Sequence, residues 1–324
     1  MIGRLPPVHP FTTVRLDRAS ERRDDQDWIK AQREHPETRY VPLWRNRCLV
    51  QREDSRCLPL WLRHDQIHPL DDSPYPPTLL GCTDKRSYFG VSIGNADVPR
   101  ITEAHGGEFA DLRFVADSLS AFDAGLLAYA KAMHYWQHRH TFCGVCGSRN
   151  QLRSAGHRLR CTNTECGRDT FPRIDPAVIV LVTHNDACLL GHQPGWPERR
   201  YSTLAGFVEP GESLEEAVAR EVYEESGVRV HTVQYRSSQP WPFPASAMAG
   251  FHAATDDPAL RLNEELEDAR WLTAAELRSA VLAGEIVLPT PFSIAFGLVA
   301  EWYLACTGEE LSAISKGHSW RRDS

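Results

Sequence analysis

The chain has 324 residues and a net charge of −7, and 42% of its residues are hydrophobic and 24% charged. This length allows about two domains, and the composition excludes a disordered or fibrous chain. No apolar run approaches the roughly 18 residues of a membrane-spanning helix, and the N-terminus lacks the apolar core of a signal peptide. We therefore expect a cytoplasmic protein without a membrane partner. Because the chain is acidic, we expect any nucleic-acid binding to involve an end or a cap and not the length of a duplex.

The first 115 residues predict a domain of irregular β character. Short apolar runs at 41–44 and 58–62 are separated by charged and proline-rich breaks. The segment 71–77 cannot be helical, because proline lacks the amide donor and restricts the residue before it. The region has no chemical motif, so we predict a structural or dimerising domain.

A helical pattern follows over residues 116–140. Its apolar residues recur at three- and four-residue spacing from Phe122 to Trp136, which predicts a helix that connects the first domain to the cysteine cluster. Further on, the β-branched run 177–182 predicts a buried strand with a hairpin partner at 187–190. The last residues, 311–324, form a polar tail, and no internal repeat is apparent.

Four of the nine cysteines fall in one short window, as Cys143-x2-Cys146 and Cys161-x4-Cys166. Two such pairs can form knuckles that close a tetrahedral zinc site, and four thiolates leave no position for catalysis. A redox pair or independent buried cysteines are the alternatives, but neither accounts for both pairs and their glycines. We predict a structural zinc ribbon over residues 141–172.

A second cluster consists of carboxylates on one helix. Ser213 and Glu216 form a capping box, and Gly227 suits the left-handed position after the last turn, which predicts a helix of about 13 residues. At 100° per residue, Glu221 and Glu225 lie in the middle of the apolar stripe that should pack inward. That stripe consists of Leu214, Ala217, Val218 and Val222.

Buried carboxylates are costly unless a cation compensates them. Arg220 points away from this stripe and is better matched to Glu212, so we expect Glu221 and Glu225 to bind a metal. Clustered hard oxygens without histidine or cysteine favour Mg²⁺ or Mn²⁺, which act on phosphate esters and anhydrides.

The stretch from Gly206 to Val228 matches the Nudix box, G-x5-E-x7-R-E-U-x-E-E-x-G-U, at every specified position. The chain thus resembles the Nudix hydrolases, which cleave nucleoside diphosphates linked to a further group. The resemblance implies an α/β/α sandwich with a mixed sheet over residues 173–310, and hence an α/β (α+β) chain. It also implies catalytic roles for Glu221, Glu224 and Glu225, and a metal-binding carbonyl at Ala205.

Ten residues after the box comes Ser238-Gln-Pro-Trp-Pro-Phe-Pro-Ala-Ser246. Its prolines hold Trp241 and Phe243 rigidly enough to stack on flat rings, although a docking peptide or plain core packing are alternatives. With the preceding zinc ribbon, this motif resembles the NADH pyrophosphatases of the NudC type.

That resemblance implies further site residues. Glu265 would be another metal carboxylate, and Phe171 stands where relatives often have tyrosine. The second cysteine knuckle has four intervening residues, where relatives mostly have two. The implied substrate-binding residues are Phe171, Gln239, Pro240, Trp241, Pro242, Phe243, Pro244, Ala245, Ser246 and Ala295.

The resemblance implies cleavage of NADH or NAD⁺ to nicotinamide mononucleotide and AMP, with Mg²⁺ or Mn²⁺, structural Zn²⁺ and a homodimer. It further implies removal of NAD caps from RNA 5′ ends. Two alternatives stay open: a Nudix hydrolase of another dinucleotide, such as ADP-ribose or a dinucleoside polyphosphate, and a zinc-ribbon protein that binds nucleic acid. The second is disfavoured, because all four box glutamates are present.

Overall fold

The computed structural model describes residues 9–12, 15–53, 56–67 and 75–315. These residues form two compact units, and the chain passes between them more than once. The N-terminal unit contains residues 11–174 and 241–245, and the C-terminal unit contains the remaining described residues. None of the helices in these described ranges is long and apolar enough to cross a membrane.

The N-terminal unit is built on a six-stranded sheet in the order β3-β2-β1-β5-β4, with β6 on β2. Strands β1 and β5 are parallel, and β1 pairs with β2, and β2 with β6, in antiparallel fashion. The elements are α1 (Gln26–Glu34), β1 (Arg39–Trp44), β2 (Arg47–Glu53), β3 (Arg56–Pro59), α2 (His64–Ile67), β4 (Thr78–Cys82), β5 (Ser87–Ser92), α3 (Asp97–His105), β6 (Glu108–Ala110) and α4 (Leu112–Val115).

The predicted connecting helix begins later than expected. Residues 116–118 form a short 3₁₀ turn, and helix α5 runs over Ala121–Arg139 with Ser120 as its N-cap. Helix α5 contacts β1, β4 and β5, so it covers the N-terminal sheet and is part of that unit's core. The ribbon that follows is a small antiparallel sheet of β7 (Asn150–Arg153), β8 (Arg158–Cys161) and β9 (Asp169–Thr170).

The C-terminal unit has a mixed sheet in the order β13-β14-β10-β11-β15, with β12 paired to β10. Helix α6 packs on one apolar face and α8 on another, so the α/β/α sandwich is confirmed. The predicted buried strand and hairpin are present as β10 and β11. The elements are β10 (Asp175–His184), β11 (Ala187–His192), β12 (Leu204–Phe207), α6 (Leu214–Ser226), β13 (Thr232–Trp241), β14 (Ser246–Ala254), β15 (Asp268–Thr273), α7 (Ala274–Leu282) and α8 (Ile294–Thr307).

The two sheets share a strand plan that the sequence does not reveal. In the N-terminal sheet, β1 pairs antiparallel with β2 and parallel with β5, and β2 pairs antiparallel with β6. In the C-terminal sheet, β10 pairs antiparallel with β11 and parallel with β14, and β11 pairs antiparallel with β15. The corresponding strands are β1, β2, β5 and β6 in one unit and β10, β11, β14 and β15 in the other. Where the C-terminal unit has the 13-residue α6, the described part of the N-terminal unit has the four-residue α2.

Candidate active site

Helix α6 has the predicted limits. The Ser213 and Glu216 side chains make both hydrogen bonds of the capping box, and Gly227 ends the helix with φ 75°. Ala217, Val218 and Val222 face the core as predicted. Leu214 was expected to face inward too, but it is 37% exposed, because a side chain in the first turn can lie beyond the edge of the packed face.

Glu225 is a carboxylate buried in the interior of the C-terminal unit. Its side chain is only 1% exposed, and neither of its carboxylate oxygens has a hydrogen-bond partner among the described residues. Burial, followed by the charges of Glu221 and Glu265, raises the pKa of Glu225 to about 8, although the neighbouring Ala205 backbone opposes the shift. With a pKa of about 8, this buried acid is mostly protonated at neutral pH, and a bound cation would favour its ionised form.

Glu221 lies directly against strand β12. A Cβ atom on Gly206 would lie 1.9 Å from the Cδ atom of Glu221, so glycine is needed for the carboxylate to fit. Burial raises the pKa of Glu221, and the guanidinium of Arg220 opposes that shift. The first glycine of the box thus provides space for one of its glutamates.

Arg220 holds three carboxylates of the box. Its Nε and Nη2 atoms donate to Glu212 at 3.0 and 2.6 Å, which confirms the predicted pair. Its Nη1 atom donates to both Glu221 and Glu224 at 2.9 Å. The expectation that Arg220 points away from Glu221 is therefore wrong: the arginine side chain is long enough to reach round the helix surface. Arg220 lowers the pKa of Glu212 to about 2.

Glu265 reaches the same region from a different element. It lies exposed in the loop before β15, and the Asn263 side chain accepts a hydrogen bond from its backbone amide. The Asn263 amide donates a hydrogen bond to the Glu225 carbonyl at 3.3 Å, so the loop that carries Glu265 lies against the last turn of α6. The charge of Glu265 contributes to the raised pKa of both Glu221 and Glu225. Glu224, with its side chain 51% exposed, lies on the outer side of α6.

The chemistry of these side chains suits a divalent cation. The buried oxygens of Glu225 are unpaired, Glu221 is cradled by Gly206, and all the donors are hard oxygens of the kind that Mg²⁺ and Mn²⁺ prefer. Mutual repulsion among the carboxylates is relieved only in part by Arg220, which leaves negative charge for an ion to neutralise.

The four predicted zinc ligands also come together. All four sulfur atoms lie within 4.8 Å of one another, with 3.8 Å between Cys143 and Cys166 and 3.4 Å between Cys146 and Cys161. A tetrahedral zinc site with Zn–S bonds of about 2.3 Å would have sulfur separations of about 3.8 Å. The cluster therefore has the geometry of a metal-binding site.

The longer second knuckle closes through Asn163. Its carbonyl accepts hydrogen bonds from the amides of Cys166 and Gly167 at 3.1 and 2.8 Å, and Gly167 has φ 51°. The four intervening residues thus form one tight turn. Backbone and side-chain hydrogen bonds from Ser148 lower the pKa of Cys146 to about 6, whereas burial raises the pKa of Cys161 to about 12. The four thiols therefore differ in how readily they form the thiolates that a metal requires.

We expect the purified protein to contain one zinc ion per chain by elemental analysis. Replacing Cys161 with serine should abolish zinc retention and lower the melting temperature, because a metal stabilises a ribbon with little core of its own. Cys306→Ser changes an exposed cysteine and is the matched control. Zinc content and melting temperature unchanged in Cys161→Ser would contradict the zinc assignment.

The predicted substrate motif is divided between the two units. Gln239, Pro240 and Ser246 belong to the C-terminal unit, whereas residues 241–245 pack within the N-terminal unit. The carboxamide of Gln239 is bound to backbone: it donates to the carbonyls of Phe292 and Pro10 at 2.7 and 2.9 Å and accepts from the Ile294 amide at 2.8 Å.

Within the N-terminal unit, Trp241 and Phe243 form an edge-to-face pair with centroids 5.1 Å apart. Three residues that sequence reasoning missed contact this pair: Phe11 packs on both rings, and the cations of Lys131 and Arg113 lie over the Phe243 ring at 5.2 and 5.5 Å. No sequence signal indicates them, because they lie more than 100 residues away along the chain.

The other two predicted contact residues differ in exposure. Phe171, in the N-terminal unit, is 63% exposed and so available to a ligand. Ala295 is buried in the first turn of α8, where its side chain belongs to the apolar core beneath the sheet. Contact between Ala295 and a substrate stays a prediction.

Two family models match the chain. Residues 173–288 match the NUDIX domain, and residues 37–136 match the NADH pyrophosphatase-like rudimentary NUDIX domain. The second match explains the shared strand plan of the two sheets. The region predicted as structural or dimerising is thus a Nudix-like domain in which the described residues contain no counterpart of the carboxylate helix.

Several curated proteins are similar over most of their length. The human NAD-capped RNA hydrolase NUDT12 is 31% identical, over 90% of this chain and 72% of the human protein. The NAD-capped RNA hydrolases NudC of Stutzerimonas stutzeri and Mycobacterium bovis are 43% and 39% identical, over 66% and 65% of this chain and 74% and 68% of theirs. A solved Nudix hydrolase from Nitrosomonas europaea has a TM-score of 0.38 at 22% identity, over 42% of this chain and 79% of its own.

The sandwich fold and its carboxylate helix define a hydrolase of the Nudix class, whose members use divalent metal ions. Within that class, the chain belongs to the NudC-type family, in which a Nudix domain follows an NADH pyrophosphatase-like rudimentary Nudix domain.

Proposed function

We propose that this enzyme hydrolyses the pyrophosphate bond of NADH and NAD⁺ to nicotinamide mononucleotide and AMP, and that it removes NAD caps from RNA. The observation that carries the hydrolytic part is Glu225, a buried acid without a hydrogen-bond partner on the carboxylate helix. The names of the similar NudC and NUDT12 proteins support the NAD part. The proposal extends to a cytoplasmic homodimer with zinc in the ribbon.

In this proposal, the carboxylates of Glu221, Glu225 and Glu265 and the carbonyl of Ala205 hold Mg²⁺ or Mn²⁺. Such an ion would polarise the phosphoryl group and activate water. Arg220 orients Glu221 and Glu224 through one shared nitrogen atom, Nη1. Glu224 is exposed enough to accept a proton from the attacking water, while Glu221 stays fixed against Gly206.

The substrate-binding roles are proposals of the same kind. Phe171 is exposed and Trp241 is half-buried, and either ring could stack on the nicotinamide or adenine ring. Phe243 is held by two cations and two aromatic rings. The other proposed contacts are Gln239, Pro240, Pro242, Pro244, Ala245, Ser246 and Ala295.

We also propose domain limits of 1–115, 116–140, 141–172, 173–310 and 311–324, of which residues 316–324 lie outside the described part.

The test is chromatography of the products formed from NADH, NAD⁺ and an NAD-capped RNA with Mg²⁺ or Mn²⁺. We expect AMP and reduced nicotinamide mononucleotide from NADH, and RNA with a 5′ monophosphate from the capped transcript. ADP-ribose and a dinucleoside polyphosphate, incubated in parallel, represent the rival dinucleotides. Faster turnover of either rival, or no turnover of any NAD compound, would contradict the proposal.

A further inference from the structure

Three consecutive residues near the start of the described chain contact the substrate motif and the strand before it. His9, Pro10 and Phe11 together reach Ser237, Gln239, Trp241 and Phe243. We call residues 9–11 the N-terminal strap. Ser237 and Gln239 are alternate residues of strand β13 and so lie on the same side of it, whereas Phe243 lies in the turn that follows the strand.

The first part of the strap packs within the C-terminal unit. His9 Nε2 and Ser237 Oγ are 2.7 Å apart in a buried hydrogen bond. The imidazole fills the space above Gly297, where a Cβ atom would lie 2.8 Å from His9 Cε1. The Pro10 carbonyl accepts a hydrogen bond from Gln239 Nε2 at 2.9 Å. Strap and strand β13 are thereby joined by side chains at two alternate positions.

The last residue of the strap packs within the N-terminal unit. Phe11 is only 4% exposed, and its ring lies edge-to-face with Trp241 and Phe243 at centroid distances of 6.5 and 6.0 Å. With the Trp241–Phe243 pair, this makes a cluster of three mutually packed rings. Edge-to-face pairs add a specific geometric preference to the burial of the rings.

The backbone of Phe11 is strained in this position. Its φ is 74°, in the left-handed region that bulky residues rarely adopt. Such strain persists only where surrounding contacts hold it, and the two aromatic rings of the substrate motif are among those contacts.

We infer that Phe11 is a positioning residue for the substrate rings: it fixes the orientation of Trp241, and with it Phe243, for stacking on the dinucleotide. This inference rests on the proposed NADH hydrolysis. Phe11 and the rings on which it packs belong to the N-terminal unit, whereas the carboxylate helix belongs to the C-terminal unit, so the loss of Phe11 should affect substrate binding and leave the hydrolytic step intact.

The test compares Phe11→Ala and Phe11→Leu in the full-length protein, with Phe109→Ala as the control. Phe109 is also nearly buried and packs on Trp44 in the N-terminal sheet, so its removal destabilises the same unit without touching the motif. We expect both Phe11 variants to raise KM for NADH by about tenfold with kcat changed less than about twofold. Leucine should restore the melting temperature that alanine lowers, but not KM.

Three results would overturn the inference. KM could stay unchanged in both Phe11 variants, leucine could restore KM together with the melting temperature, or Phe109→Ala could raise KM as much. Wild-type enzyme that neither hydrolyses nor binds NADH would instead contradict the proposed function, and the inference with it, before any substitution is made.

Discussion

Glu225→Gln should abolish hydrolysis and, at the same time, stabilise the protein in the absence of added Mg²⁺ or Mn²⁺. We expect activity to fall by at least about 10³-fold, because the carboxylate at the centre of the proposed metal site is lost. Stability should rise because a neutral amide avoids the cost of ionising a buried group that has no partner. Opposite effects on activity and stability are characteristic of a functional site that strains the fold.

The pH dependence of the free energy of unfolding follows from the direction in which folding shifts the pKa of Glu225. The folded protein raises the pKa of Glu225 from its ordinary value near 4.5 to about 8, so between these values the folded state binds more protons than the unfolded state. Wild-type protein without added divalent ion should therefore lose stability as pH rises from about 4.5 to about 8. The loss should reach a few kcal/mol, since one pKa unit corresponds to about 1.4 kcal/mol.

Urea unfolding at pH 5, 6.5 and 8 measures this dependence. Glu225→Gln should reduce this slope, while the raised pKa of Glu221 accounts for the part that remains. Mg²⁺ or Mn²⁺ should stabilise wild-type protein more at pH 8 than at pH 5. Glu215→Gln, on an exposed position of the same helix, should behave like wild type. A Glu225→Gln variant that keeps its activity, or is less stable than wild type at pH 8, would refute the assignment.

Gly206→Ala should reduce activity by about 10²-fold while leaving the fold nearly as stable as wild type. The new Cβ atom would lie 1.9 Å from the Glu221 Cδ atom, so the carboxylate must move. The end of a glutamate side chain moves easily, which keeps the cost in folding small. A displacement of about 1 Å at a catalytic group can nevertheless cost 10²-fold in rate.

Steady-state kinetics and the melting temperature separate these effects. Gly90→Ala is the matched control, because Gly90 also lies in a strand and a Cβ atom there would make only ordinary contacts of 3.7 and 3.9 Å. Gly206→Ala with full activity would mean that the position of Glu221 does not matter for hydrolysis. A large fall in melting temperature would mean that the glycine is needed for folding.

Much of the carboxylate helix could be predicted from the sequence because its signals are local. The capping box at Ser213, the terminating Gly227 and the burial of Glu225 all follow from spacing within about four residues. The Arg220–Glu212 pair could also be predicted, although the additional bonds of Arg220 could not. The position of a residue around the helix axis gives the direction of its Cβ atom. The end of a long, flexible side chain such as that of Arg220 can nevertheless form hydrogen bonds in a different direction.

The cysteine cluster was predictable for a similar reason. Each knuckle is a tight turn of a few residues, and the four-residue spacer of the second knuckle closes around Asn163. The N-terminal domain is the opposite case. Its Nudix-like strand order consists of pairings between strands that are distant along the chain. Two domains can keep the same strand order after their sequences have diverged too far for a repeat to be recognised.

The sequence by itself determined the helix with its carboxylates, the zinc-type cysteine spacing and the family, since each depends on residues close together along the chain. Only the tertiary structure decided that Glu221 fits against Gly206, that the loop carrying Glu265 lies against the end of α6, and that Phe11 packs on Trp241 and Phe243. These contacts form only when strands and segments that are far apart along the chain pack together. Burial in the folded protein then raises the pKa of Glu221 and Glu225.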